Sequence, residues 1–336
     1  MRHRVIVFPV ILALIVFASC QKRAEIVPVR IIFDTDLGPD YDDVGALAML
    51  HAYADSGLAN ILATIASNRY ELTGPCIEII NTYFGRPDIP VGTPPPGSVR
   101  IGCSQHWTDS LVAKYTHSLD LTGMAEDAVT LYRRILSAQP DTSVTIVTVG
   151  FLTNIRNLLL SRPDTISQLS GEELVKQKVK QWVAMAGKFP SGSEFNIMMD
   201  SMASIEAISR FPRPIIFTGF EIGEKIKTGK KLVELGDPQS PVREVFRIAL
   251  PLDPADRNGR MSWDETAVLI AVKGIHPYFE AKRGKFIPFP NGYNEWYDDG
   301  SGSHAYVTFA LPPDSIGKII ENTMMHKPVK KLQPVP

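Results

Sequence analysis

The chain has 336 residues, 44% of them hydrophobic, with 35 Lys and Arg against 36 Asp and Glu and a formal net charge of −1. That balance, with no dense Lys/Arg cluster, excludes an electrostatic footprint for nucleic acid and points to a small-molecule partner. Its three cysteines are too few for a disulfide scaffold, so a hydrophobic core has to stabilise the fold.

Arg2 and Arg4 precede an apolar run from Val5 to Phe17 that reads as a secretory leader over residues 1–19, short for a membrane span. Phe17-Ala18-Ser19-Cys20 resembles a bacterial lipobox, which implies an exported periplasmic or outer-surface lipoprotein touching the membrane only through a lipid on Cys20. An ordinary signal peptide cut near Ala18 is the alternative, and it also means export. Residues 20–28 then form a short tether and residues 29–336 one domain, because no Gly/Ser linker or charge block divides them. Whether Cys76 and Cys103 pair is open at this level, and a homo-oligomer is compatible with the sequence.

In chain order, the β-branched run Val29 to Phe33 predicts a buried strand that ends at Asp34. From Asp42 the composition turns helical, with two carboxylates in the first turn, where the helix dipole favours anions. Asn60 to Ala66 predicts a second strand and Pro75 to Phe84 a helix. Residues 90–123, opening on Pro94-Pro95-Pro96-Gly97, read as an irregular insertion that could border the site. Ser143 to Val149 is a strong strand signal followed by a helix from Thr153 to Leu160, and Lys178 to Ala186 and Pro214 to Thr218 supply two more strands. The alternation implies an α/β fold, Rossmann-like, with a mainly parallel central sheet flanked by helices. In such sheets ligands bind beyond the carboxyl ends of the strands, where Asp36, Asn68, Val149, Lys188 and Phe220 all fall.

The stretch Asp34-Thr35-Asp36-Leu37-Gly38-Pro39-Asp40-Tyr41-Asp42-Asp43 packs five carboxylates into ten residues. Such a set repels itself unless a cation or hydrogen bonds neutralise it. Oxygen-only donors suit a hard ion, and Ca²⁺ tolerates an irregular many-oxygen shell better than its competitor Mg²⁺. Helix capping alone would use one or two of these aspartates and leave Asp34 and Asp36 without a purpose.

Asp34-Thr35-Asp36-Leu37-Gly38 and Asp42-Asp43-Val44-Gly45-Ala46-Leu47 resemble the DxDPGxDDAxA signature of the inosine-uridine preferring nucleoside hydrolases, with Leu37 in the proline position and two extra residues before Asp42. The resemblance continues in Asn68 at the end of the second strand, in Gly150-Phe151-Leu152-Thr153-Asn154 against a GxLTN turn, and in Glu194-Phe195-Asn196 with Asp200 against an EFNxxxD segment. It implies the nucleoside hydrolase fold and Ca²⁺-dependent hydrolysis of the N-glycosidic bond of ribonucleosides or related N-ribosides. It also implies metal ligands at Asp36, Asp42, Asp43, Asp264 and the Val149 carbonyl, with Asp36 activating water and Asn68, Glu194 and Asn196 holding the sugar. Asp34 is expected as support, and the insertion leaves Asp40 as an ambiguous extra ligand.

The chain departs from the family at Trp263, where the segment preceding Asp264 often carries a His that protonates the departing base. An indole donates a hydrogen bond and cannot act as an acid near neutral pH, so Trp263 is expected either to stack on a base or to fill the core. His304 is the substitute acid by its ordinary titration range, or else a solvated loop histidine. It lies in the aromatic, acidic, Gly-rich stretch 291–306, whose composition suggests a mobile lid. Glu221 follows a strand and either faces the pocket or serves the first turn of a helix. Two rival readings stand beside the hydrolase. One is a Mg²⁺-dependent phosphatase resembling the haloacid dehalogenases, which share an apolar strand followed by DxD; the other is a surface lipoprotein that binds ribosides without cleaving them.

Overall fold

The computed structural model describes residues 27–300 and 302–329, so the expected leader and Cys20 lie outside the described residues. Val29–Thr35 (β1) pairs in parallel with Ala59–Ala66 (β2), which is followed at its free edge by the short strands Val91–Thr93 (β3) and Glu126–Asp127 (β4). On the other side of β1 lie Val144–Thr148 (β5) and Val179–Met185 (β6), again parallel. Ser191–Ser193 (β7), Ile215–Thr218 (β8), Lys227–Thr228 (β9), Arg260–Met261 (β10), Phe279–Pro288 (β11), Tyr293–Asp298 (β12) and His304–Phe309 (β13) complete the strands. Among the described residues they form an eleven-stranded sheet, ordered β4-β3-β2-β1-β5-β6-β8-β13-β11-β12-β7, and a separate β9–β10 ribbon.

The strands expected around β1, β2, β5, β6 and β8 form where their apolar runs lie, and helices Asp42–Asp55, Thr73–Tyr83 and Thr153–Leu160 follow three of them. Because successive side chains on a strand point to opposite faces, Ile31 and Phe33 enter one apolar core and Ile32 the other. The same alternation sends Val147 and Val183 to the first core and Ile146, Trp182 and Ala184 to the second, so the sheet is buried on both faces as a mainly parallel sheet must be.

Two regions differ from the sequence reading. Residues 90–123 hold β3 and a helix at Trp107–Lys114 whose Trp107 and Leu111 are fully buried, so the Pro-rich start does not mark an irregular segment throughout. The stretch 291–306 is not a lid: β12 pairs antiparallel with β11, and β13 is an interior strand between β8 and β11. Cys76 and Cys103 are both buried free thiols.

Candidate functional site

Asp36 leaves the carboxyl end of β1, and the loop through Asp40 delivers Asp42 and Asp43 to the first turn of helix Asp42–Asp55. Helix Trp263–Lys273 packs against this helix and brings Asp264 in its own first turn, so two positive helix ends face one group of carboxylates. Gly150, after β5, lies so close to the Asp36 backbone that a Cβ there would collide with the Asp36 amide nitrogen. Asp36, Asp40, Asp42 and Asp264 line a cavity of about 290 Å³ with Glu194, Asn196, Val149, Phe195, Met185, Phe220, Arg260 and Trp263, and Asp43 is buried behind them. That is at the lower edge of the roughly 300–1,000 Å³ range of small-molecule sites.

The floor is strongly desolvated. Burial pushes the Asp36 carboxyl well above its ordinary value, and the charges of Asp40, Asp42 and Glu194 add to that. Burial likewise raises Asp43 and Asp264, each with several carboxylates as neighbours. One oxygen of Asp40, Asp42 and Asp264 can be chosen so that all three lie within 4.8 Å of one another. Asp43 accepts from the Thr35 hydroxyl through Oδ1, while its Oδ2 is buried with no hydrogen-bond partner. An orphaned buried carboxylate oxygen among like charges is costly as it stands, and a hard divalent cation would satisfy it, so the donor set fits the ion the family uses.

Asp42 is differently placed. Its Oδ1 accepts from Arg260 Nε at 2.9 Å and Nη2 at 2.7 Å, and its Oδ2 from the backbone amides of Trp263 at 3.1 Å and Asp264 at 3.3 Å. Those four bonds occupy the whole acceptor capacity of a carboxylate. Arg260 also pairs with Asp40 at 2.9 Å, which gives that extra aspartate a partner. Arg260 has no counterpart in the sequence reading; a buried arginine next to an acidic set is visible only once the chain has folded.

Asp34 lies behind the floor as expected of a support, accepting from Tyr132 Oη at 2.9 Å and Asn154 Nδ2 at 3.1 Å. Its burial raises its carboxyl to about 7, against those hydrogen bonds. Glu194 caps helix Phe195–Met199, accepting from the amides of Asn196 at 2.8 Å, Gly187 at 3.0 Å and Ile197 at 3.2 Å. Burial outweighs those bonds and lifts it to about 7. Asn196 Nδ2 donates to the Val149 carbonyl at 3.2 Å, which ties the Glu194–Asn196 segment to the end of β5.

Two expected site residues, Asn68 and His304, have other partners, and Glu221 takes the helix-start position that is one of its two readings. Asn68 is fully buried, and its Nδ2 donates to the carbonyls of Asp36 at 3.2 Å and Ile101 at 2.8 Å. Its Oδ1 accepts from the amides of Tyr70 at 3.2 Å and Ile101 at 3.0 Å, so the amide braces the Asp36 loop and has nothing left for a ribose. His304 is paired with Ile215, the first residue of β8, and therefore sits at the amino end of the parallel strands, away from the Asp36 floor. It lines a separate cavity with Phe211 and Gly284, accepts from the Phe286 amide, and burial lowers it to about 4. Glu221 accepts from the Phe189 amide at 3.0 Å and does not line the floor cavity; its neighbour Phe220 does.

Trp263 is in the wall, but its indole N–H donates to the Phe220 carbonyl at 2.8 Å and its ring leans on Phe220 at 5.3 Å between centroids. Its donor is thus already committed, and the remaining surface is an apolar face.

A mainly parallel sheet carries a group of carboxylates at its strand ends that could hold a metal ion, with an acid–amide pair across the cavity. A family model described as inosine-uridine preferring nucleoside hydrolase matches residues 31–299. The chain belongs to this family, and is therefore a hydrolase acting on N-glycosyl compounds. Solved structures agree in fold. The purine-preferring ribonucleoside hydrolase from Gardnerella vaginalis is 13% identical with a TM-score of 0.68, over 88% of this chain and 98% of that one. The inosine-uridine preferring nucleoside hydrolase from Bacillus anthracis is 14% identical with a TM-score of 0.65, over 88% and 99%. An inosine-guanosine nucleoside hydrolase is 19% identical with a TM-score of 0.67, over 89% and 98%. A search of curated proteins found no match. None of these comparisons favours the phosphatase or the non-catalytic alternative.

Proposed function

We propose that the chain hydrolyses the N-glycosidic bond of ribonucleosides or closely related N-ribosides with Ca²⁺ on its carboxylate floor. The observation that carries this reading is the pair of desolvated carboxylates of Asp36 and Asp264 across one cavity from Glu194 and Asn196, with the orphaned Oδ2 of Asp43 buried behind them. Asp36, Asp43, Asp264 and the Val149 carbonyl would hold the ion, and Asp42 could join only by exchanging one of its present bonds. When bound, such an ion acidifies water and orients vicinal sugar hydroxyls. Asp36 accepts the proton of the attacking water as it reaches C1′. Glu194 and Asn196 fix the sugar so that the anomeric carbon faces that water. Phe220, Trp263 and Phe195 shield the aglycone side from bulk solvent. With no histidine in the cavity lining and the Trp263 N–H on Phe220, these walls offer the departing base no neutral-pH proton donor of the expected type, which favours aglycones that leave with little help.

The test is release of reducing sugar from a panel of nucleosides in Ca²⁺, Mg²⁺ or chelator, for wild type and Asp36→Ala. Turnover with Ca²⁺ that stops in chelator and in the variant is the expected result. Absence of turnover of every riboside by the wild type would remove the catalytic reading, and full activity in the variant would remove the role of Asp36.

A further inference from the structure

Arg260 is a cation lodged in the carboxylate floor by the fold itself. The β9–β10 ribbon, in which Arg260 pairs with Thr228, aims its side chain at the loop between β1 and helix Asp42–Asp55. There the guanidinium makes its two-pronged contact with Asp42 and its ion pair with Asp40, and Nη1 lies 3.7 Å from Asp256. Its Cζ lies over the Tyr41 ring, 4.8 Å from the centroid, and over the Trp263 ring, 5.1 Å away. Tyr41 in turn donates through its hydroxyl to Asp256, so the aromatic cover and the third carboxylate brace each other. Burial of a guanidinium is tolerated only with charge-matched, hydrogen-bonded pairing of this kind, here two donors on the one Oδ1 of Asp42.

The two extra residues before Asp42 therefore acquire a purpose. They bring Asp40 within reach of Arg260, and the chain that lengthens the loop also supplies the charge that closes it. Among the described residues Asp36, Asp43 and Asp264 have no cationic partner, while Asp40 and Asp42, which Arg260 pairs, converge with Asp264, so the built-in cation sits at the edge of the group an external ion would complete.

We propose that Arg260 is a positioning residue, a built-in counter-ion that keeps the Asp36–Asp43 loop assembled without a divalent cation and weakens the site's hold on that cation by placing its own positive charge beside it. The proposal rests on the metal-dependent reading above, and its test reads ion binding and unfolding, not turnover. Arg260→Gln removes the charge and frees Asp42 and Asp40. Its Tm in chelator falls below that of the wild type, Ca²⁺ raises its Tm by more than it raises the wild type's, and its Ca²⁺ Kd by calorimetry tightens roughly tenfold or more, as expected on removing a cation adjacent to the ion. Arg260→Lys keeps the charge but loses the two-pronged geometry, and its Ca²⁺ Kd stays near the wild-type value. Recovery of Arg260→Gln only in Ca²⁺ is the same dependence in its extreme form. If that variant is not recovered at all, Arg260→Lys decides, with a lower Tm in chelator that Ca²⁺ restores. A Ca²⁺ Kd in Arg260→Gln equal to or weaker than that of the wild type, or in the fallback an unchanged Tm for Arg260→Lys, would overturn the proposal while leaving the hydrolase reading intact. No binding of Ca²⁺ or Mg²⁺ by either protein would instead remove the metal reading on which it rests.

Discussion

At the floor of the cavity, Asp36 and Asp264, with Asp43 buried behind them, are stripped of water and crowded by like charge, whereas in the wall Phe220, Trp263 and Phe195 present no titratable group. The floor is therefore costly unless a cation completes it, and the wall is stable as it stands. The difference separates the two halves of the reaction. On the proposed reading, binding the sugar and activating water belong to the floor, and the aglycone faces the wall of Phe220, Trp263 and Phe195, whose indole N–H is committed to a backbone carbonyl.

The sharpest way to break the comparison is at the floor. Asp36→Asn keeps the shape and removes the proton acceptor, and should lower kcat/KM by about 10²–10⁴-fold in a sugar-release assay; a loss smaller than tenfold would mean the floor is not where water is activated. Asn68→Ala tests the brace beneath it. Removing an amide that makes four bonds to the Asp36, Ile101 and Tyr70 backbone should cost about 1–3 kcal/mol of unfolding free energy, read from denaturant midpoints. A selective rise in KM with unchanged stability would instead return Asn68 to the substrate. In the wall, Trp263→Phe deletes the donor to the Phe220 carbonyl and should cost about 1 kcal/mol of stability. The shape of the pH–rate profile should not change, because no proton passes through the indole.

The smallest effect concerns histidines outside both regions. Burial lowers His304 to about 4 and His51 to about 3, below the ordinary value of 6.5 that they regain on unfolding. The unfolded chain therefore binds these protons first, and the stability they contribute is complete above pH 6.5 and lost as pH falls towards those lower values. Between pH 7 and pH 6 each should cost less than about 1 kcal/mol. His304→Gln should flatten part of the fall in Tm over that interval. If the same substitution changed kcat, His304 would have to reach the floor that the strand register keeps it from.

Much of the floor was legible because it is local in sequence. An apolar strand ending in Asp34-Thr35-Asp36, with Asp42 and Asp43 opening a helix, places four carboxylates at one sheet edge whatever the rest of the chain does. The chain order of the GxLTN-like and EFN segments likewise placed Val149, Glu194 and Asn196 after their strands. The part Asn68 plays was not legible, because a strand-end amide looks the same whether it faces a ligand or the backbone. Its four partners come from residues 36, 70 and 101. The stretch 291–306 misled because Gly and acidic residues at an exposed turn mask the strands on either side. Tyr306 and Val307 find their core only across β8 and β11.

By itself the sequence determined the alternation of strands and helices, the end of the sheet at which chemistry occurs, and the oxygen-rich character of the floor, since all three follow from short-range periodicity and residue type. Tertiary structure decided how the aspartates divide their work. Asp42 and Asp40 belong to Arg260, which is 218 residues from Asp42 along the chain, and Asp34 belongs to Tyr132 and Asn154. Acceptor capacity is finite and is assigned by whichever donors the fold brings within about 3 Å, and no pattern along the chain records that distance.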